Sequence, residues 1–529
     1  PTWPLQVKQQ MGMTGPQDQT TLPASRAPAA AQTRKATLAA VTPPLAPAGE
    51  NRWLIGAWRL AAAPDVTAPP AAIAQPGFEA GGWLPATVPG TILATYVANG
   101  IHPDPAYGLN NLQIPESLSR QDYWLRTEFI RPESGARAHQ AIAFQGINYA
   151  AEIWVNGERL GATEGAFTRG RFVLPARFTA GDRIAVAVRV SPPLNPGLPH
   201  EESLTAGPGQ NGGAMTIDGP TFSASEGWDW IPTVRDRNTG VWQDVVLEAS
   251  GDVRIGDPHV NTVLPLADKS LAELTFAVPV INDSTAERTV EIEARFGDVT
   301  LRQNARVAPL STSTVRFAPD AFAQLRIRNP ELWWPNGYGA PKLHDLALTV
   351  SVDGQVSDAR KVRFGIREVS YELSLIDTAE ELQRVAVSPA RSKGEQLLDV
   401  THQAIRKVEG GWAVSLARGV AGSPALAPVK DAALAPHLLL KVNGVPIAVR
   451  GGNWGMDDWM KRVSRERMEP YFRLHREANV NTIRNWMGQS TESVFFELAD
   501  EYGLLVLNDF WISTQDHNGE PGDTGLFLA

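Results

Sequence analysis

From Trp53 to about residue 250 the chain alternates apolar and polar positions in short runs cut by turn residues. WLIGAWRL, DYWLRTEFI, HQAIAFQGI, AEIWVNGERLG, DRIAVAVRV and GVWQDVVLEA each repeat with a period of two. That spacing turns one face of a strand to a core and the other to water. Asn156 and Gly157, at the join of two such stretches, are a hairpin turn signal. Many short strands of this kind predict a jelly-roll β-sandwich over residues 51–250. A second series predicts an immunoglobulin-like β-sandwich over residues 251–370: LAELTFAVPVIND, RTVEIEARFGDV, STVRFAPD, HDLALTVSVDG and KVRFGIREV. The phrase NPELWWPNGYG is expected on a long loop of that unit.

Residues 371–436 mix charged stretches with Ala/Pro-rich patches and are expected to be an insertion or linker. The pattern then changes. LLLKVNGVPIAVR reads as a small hairpin entering a strand, and VRGGNW, SRERMEPYFRLHREAN, VNTIRNWMG, TESVFFELADEYG and LLVLNDFW follow as strand, helix, strand, helix, strand. Ser464 is placed to cap the first helix, with Met468, Tyr471, Phe472, His475 and Asn479 on one face. Phe495, Leu498, Ala499 and Tyr502 form the stripe of the second, which has Thr491 near its start and Gly503 just past its end. The alternation predicts the first part of a (β/α)8 barrel over residues 437–529, a fold whose chemistry sits at the carboxyl ends of its strands. Those ends carry Asn453 and Trp454, then Asn485 and Trp486, then Asn508, Asp509 and Trp511. Indole faces cover the C–H faces of a pyranose while amides and carboxylates take its hydroxyls, so a sugar site is expected there. Asp457 and Asp458 follow the first strand, either lining the same mouth or lying on a solvated loop.

Composition narrows the classes. A chain of 529 residues is long enough for about three or four domains. The net charge of −9 and the lack of a basic stripe argue against nucleic acid. No apolar run approaches the roughly 20 residues of a membrane helix. With no cysteine, thiolate nucleophiles and cysteine metal sites are excluded. The histidines show no HExxH spacing, and no GxSxG elbow or P-loop is present. TAGPGQNGGAM is glycine-rich but lies among strand signals and reads as a loop. Residues 1–50, rich in Ala, Pro, Thr and Gln, are expected to be a flexible leader that looks processed or trimmed. A periplasmic or secreted location is expected, with the cytoplasm as the alternative.

Several longer strings sharpen the picture: AEIWVNGERLG, SEGWDWIPTVRDRNTGVWQDV, FGIREV, VNGVPIAVRGGNW, NVNTIRNWMG and EYGLLVLNDFW. With the order jelly roll, immunoglobulin-like sandwich, barrel, the chain resembles the family 2 glycoside hydrolases from about residue 51 onward, outside the insertion. GWDWIPTVRDRNTG and RGGNW are most similar to the β-mannosidase branch, including the mannosylglycoprotein endo-β-mannosidase type, with exo-β-glucosaminidases next. The resemblance implies a retaining β-glycosidase without a cofactor, acting on β-mannosides or the Manβ1-4GlcNAc unit of N-glycans. Charge and apolar patterning, as above, point to no nucleic acid and no membrane partner.

The same resemblance implies residue roles. Asp229 would be the carboxylate that the first domain sends into the barrel mouth, flanked by Trp230. Arg484 would hydrogen-bond the nucleophilic carboxylate and keep it ionised. Asn453, Trp454 and Trp486 would be subsite walls, and Asp509 and Trp511 stand beside them. For each indole, core packing is the plain alternative; for Asp229 it is the organisation of a buried loop. The family's acid/base is the Glu of an Asn-Glu pair ending the fourth strand, and its nucleophile a Glu ending the seventh, the two about 5 Å apart. This chain has no Asn-Glu pair, so both carboxylates are expected beyond residue 529. The rest of the barrel is then expected from the same polypeptide or from a second chain, since three βα units cannot close eight strands. A non-catalytic carbohydrate-binding protein is the alternative of another class.

Overall fold

In the computed structural model, residues 43–108, 110–135, 137–194, 196, 218–222, 234–377, 379–399, 401–430, 438–510 and 524–528 are described. Two antiparallel sheets face each other between Leu45 and Ser250. One holds Val245–Ser250 between Arg52–Ile55 and His139–Phe144; the other holds Arg183–Ser191 between Tyr123–Ile130 and Ala150–Val155. Their inward residues, among them Phe144, Ile153, Val186, Val188 and Leu247, are fully buried. Asn156 and Gly157 make the tight hairpin turn, both in the left-handed region with φ of 45° and 87°, as a two-residue turn matching strand twist requires. Leu45–Gly49 pairs with Arg52–Ile55, and Leu45 packs on the core. The end of the expected leader therefore belongs to the sheet; its Ala/Pro composition hides a strand whose apolar anchor is one leucine.

The second sandwich is built on Leu271–Asn282, where every second residue from Ala272 to Asn282 is buried. The opposing sheet joins Val299–Val307, Arg288–Phe296, His344–Val352 and Gln355–Phe364 in that order. Residues 371–436, expected as an insertion or linker, carry most of a further sheet. Val369–Ile376 pairs with Leu382–Val387 and Leu439–Val442, over a small core that includes Leu375, Val385 and Val387.

After the hairpin come β1 (Gly451–Trp454), α1 (Arg465–Glu477), β2 (Thr482–Asn485), α2 (Ser493–Tyr502) and β3 (Leu505–Asn508). The strands are parallel and in register, with Asn453 opposite Arg484 and Arg484 opposite Leu507. Both helices cover one face, burying Met468, Phe472, Ile483, Phe495 and Leu498. Ser464 Oγ accepts from Arg467 N at 3.3 Å and starts α1; Gly503, at φ 71°, ends α2. The NPELWWPNGYG phrase is a joint between units. Trp333 is buried and donates through Nε1 to the Asp500 carbonyl at 2.8 Å, and Asn336 Nδ2 donates to the Arg476 and Val480 carbonyls, each at 2.9 Å. No helix among the described residues is long and apolar enough to cross a membrane.

Candidate functional site

Residues opposite one another in a parallel register share a face, and along a strand the faces alternate. Asn453, Arg484 and Leu507 therefore lie on the side away from the helices, where Leu507 is exposed. Two residues past Arg484 and Leu507 come Trp486 and Asp509. Arg484 Nε donates to Asp509 Oδ1 at 3.1 Å, and its Nη2 lies 2.8 Å from Oδ2. This is the two-pronged pairing in which a planar guanidinium fixes a carboxylate in orientation as well as charge. The same guanidinium stacks over the Trp486 ring, 4.3 Å from its centroid. The Met487 backbone N–H donates to Asp509 Oδ2 at 3.2 Å, with Met487 in the left-handed region at φ 52°. Among the described residues nothing bonds Arg484 Nη1. The result is a partly open polar face with one charged donor edge available, a stacked indole beside it and Asn453 on the neighbouring strand.

Trp454 is not part of that face. It alternates to the helix side, where its ring packs 5.4 Å from Phe472 and 5.6 Å from Phe495, and Nε1 donates to Ser490 Oγ at 3.2 Å. The expected subsite wall is a core residue. Asn485 also points backward: its Nδ2 donates to the Ser490 carbonyl at 2.8 Å and to Asn508 Oδ1 at 2.7 Å, and its Oδ1 accepts from Ser490 N at 3.2 Å. It braces the turn that carries Trp486 and Met487. Asp457 and Asp458 do not open onto the face either. Asp457 accepts from Arg467 Nε and Asp458 from Arg462 Nε, each at 2.8 Å. Burial pushes the Asp458 carboxyl up, but hydrogen bonds and charge from Arg462 outweigh it and hold the group below its ordinary value. Asp229, Trp230 and Trp511 lie outside the described residues.

Sequence reasoning passed over the contact between the first sandwich and the loop after β1. Asn238 Nδ2 donates to the Trp459 carbonyl, and Thr91 N to the Met460 carbonyl at 3.0 Å. Asp236, next in the VRDRNTG string, is fully buried and accepts from Leu93 N at 2.7 Å and Asn238 N at 3.0 Å. Burial pushes its carboxyl up to about 6 in spite of those bonds and of nearby Arg237. Lys461, in the polar stretch KRVSRER of the sequence, is buried at the same junction. Nothing in its neighbours' residue types signals that. Among the described residues no group of three or more histidine or acidic side chains is arranged to hold a metal.

Profiles of known families match both sandwiches. A glycosyl hydrolase 2 galactose-binding domain-like profile covers residues 58–243, and the glycosyl hydrolases family 2 profile covers residues 253–367. The chain belongs to glycosyl hydrolase family 2. Within family 2 it is 29% identical over 485 residues to a mannosylglycoprotein endo-beta-mannosidase of Lilium longiflorum, covering 87% of this chain and 43% of that protein. It is 28% identical over 464 residues to an exo-beta-D-glucosaminidase of Streptomyces avermitilis, covering 87% of this chain and 41% of the relative. The exo-chitosanase structure from Amycolatopsis orientalis shares the fold, with a TM-score of 0.61 at 23% identity over 87% of this chain and 43% of that one. This family 2 chain thus spans less than half the length of these two relatives.

Proposed function

We propose that the chain is the front part of a retaining β-glycosidase, most nearly a β-mannosidase acting on terminal β-mannosides or the Manβ1-4GlcNAc core of N-glycans. The observation that carries this reading is the Arg484 guanidinium, fixed by Asp509 and Trp486 on the open side of β2, with Nη1 unbonded among the described residues. A fixed cation there holds a neighbouring carboxylate ionised and hence nucleophilic at neutral pH. In this reading β1 to β3 begin a (β/α)8 barrel. The remaining strands, with the acid/base and the nucleophile, come from the same polypeptide or a second chain. Catalysis is double displacement: the acid protonates the glycosidic oxygen, the carboxylate attacks the anomeric carbon, and water resolves the glycosyl-enzyme. Trp486 and Asn453 contribute wall and hydroxyl contacts, and Asp229, Trp230 and Trp511 complete the sugar-holding set. The glucosaminidase relatives support a second reading, an exo-β-D-glucosaminidase built on the same residues.

The test is hydrolysis of p-nitrophenyl β-mannoside, β-glucosaminide and β-galactoside by the complete polypeptide. The mannoside is expected to be cleaved fastest. A higher kcat/KM on the glucosaminide moves the assignment to the second reading. Saccharide binding with no cleavage of any of the three makes the protein a carbohydrate-binding one.

A further inference from the structure

Lys461 is a lysine in an unusual place. It is 1% exposed, on the loop after β1, and its backbone is left-handed at φ 54°. A non-glycine residue in that region is strained and persists where its surroundings over-determine it. Here they do. The ammonium lies 4.6 Å from the Phe222 ring centroid and 4.8 Å from that of Trp242, two aromatic faces of the first sandwich. On the other side Nζ donates to the Gln489 carbonyl at 3.1 Å and forms an ion pair with Glu492. Glu492 is itself 7% exposed and precedes α2 directly. Lys461 is the only described cation within reach of its carboxylate.

Gln489 and Glu492 belong to the turn between β2 and α2. The front of that turn carries Trp486 and Met487, which touch Arg484 and Asp509. Ser490, beside Gln489, is held by Asn485 and by Trp454. One ammonium thus reaches from the aromatic pair of the first sandwich to the back of the turn whose front stacks on the site's arginine.

We infer that Lys461 is a positioning residue, through which the first sandwich sets the conformation of the 486–492 turn and so the pose of Trp486 against Arg484. Its effect on catalysis rests on the glycosidase reading; its effect on the turn does not. A buried cation between two rings, a carbonyl and a carboxylate has a single well-defined seat. Replacing it with an apolar side chain of similar length removes the link but leaves Glu492 charged and buried, so the single variant Lys461→Met is also expected to fold poorly. Removing both charges avoids that.

The experiment uses the complete polypeptide labelled with 5-fluorotryptophan, the Trp486 resonance being assigned by its loss in Trp486→Phe. In Lys461→Met/Glu492→Gln the protein is expected to stay folded, as judged by an unchanged sandwich-core melting transition. The Trp486 fluorine resonance should shift or broaden, and kcat/KM on the preferred glycoside should fall by about ten-fold or more, a sub-ångström misplacement being enough for that. A folded double variant with the Trp486 resonance unmoved overturns the inference, whatever its activity. If the wild-type protein cleaves no glycoside, the glycosidase reading fails, and the fluorine shift alone still decides whether Lys461 sets the turn. If the resonance moves while kcat/KM stays within about two-fold of wild type, the catalytic half of the inference is wrong.

Discussion

At the scale of single residues the site depends on a pair, Arg484 and Asp509, in which a partly exposed guanidinium and a more covered carboxylate are held by two-pronged geometry. Such pairs contribute little to stability, about 0–1 kcal/mol. Arg484→Lys keeps the charge but loses both the fork to Asp509 and the stacking plane over Trp486. It is expected to leave the melting temperature nearly unchanged and to lower kcat by about a hundred-fold, measured on the complete polypeptide. A loss of stability without a loss of rate would make the pair a structural brace. Asp236 behaves in the opposite way. Its carboxyl ionises near 6 when folded against an ordinary value of 3.8. Between those values the unfolded chain has lost the proton that the folded chain retains, so folding stability declines as the pH rises from about 4 to about 6, by about 3 kcal/mol, and is level above. Asp236→Asn should flatten that part of the stability–pH curve in denaturant titrations; an unchanged slope would show that another group is responsible. The residue scale is also where the sequence was least legible. The first two strand ends each offer an amide next to an indole, and period two allows only one of each pair onto the open face. Asn453 and Trp486 have it, Trp454 and Asn485 do not, and only the register of the neighbouring strands tells which is which.

At the scale of elements, periodicity was enough where segments were long and flanked by capping chemistry. Both helices were readable from their apolar stripes, and Phe472 and Phe495 lie at the centre of the resulting core. Phe472→Ala should destabilise the β/α unit by about 3–5 kcal/mol in urea unfolding, because a ring with no exposure leaves a cavity. Gly503 is set by more than its φ: a Cβ there would lie 3.1 Å from Asn336 N and 3.1 Å from the Trp334 carbonyl. Gly503→Ala should therefore lower stability by about 1 kcal/mol or more, and a neutral effect would mean the joint to the NPELWWPNGYG loop is loose. Short elements escaped notice for the converse reason. Leu45–Gly49 has a single large apolar residue, and Leu398–Asp399, Ser415–Leu416 and Leu426–Pro428 are only two or three residues long, held by pairing rather than by an apolar face of their own. A period of two cannot be recognised over two or three residues.

At the scale of the whole molecule, the β/α unit is clamped from two sides. The second sandwich grips α2 through Trp333 and the end of α1 through Asn336, and the first grips the loop after β1 through Asn238 and through the rings that face Lys461. Neither clamp could be read from the chain, since both join residues more than a hundred positions apart whose types suggest solvent or loop. The two sandwiches in their order and the strings that mark family 2 were legible; the contacts that join them to the β/α unit were not. In the proposed function, the open face around Arg484 serves a glycosyl-transferring carboxylate. Its most direct test is the rate at which the complete polypeptide, wild type or Arg484→Lys, is labelled by a 2-deoxy-2-fluoro-β-mannosyl fluoride, followed by intact mass. One fluoromannosyl group is expected on the wild-type protein, with labelling of Arg484→Lys slower by about a hundred-fold. No adduct on the wild type, or equal labelling rates in the two proteins, would contradict the claim.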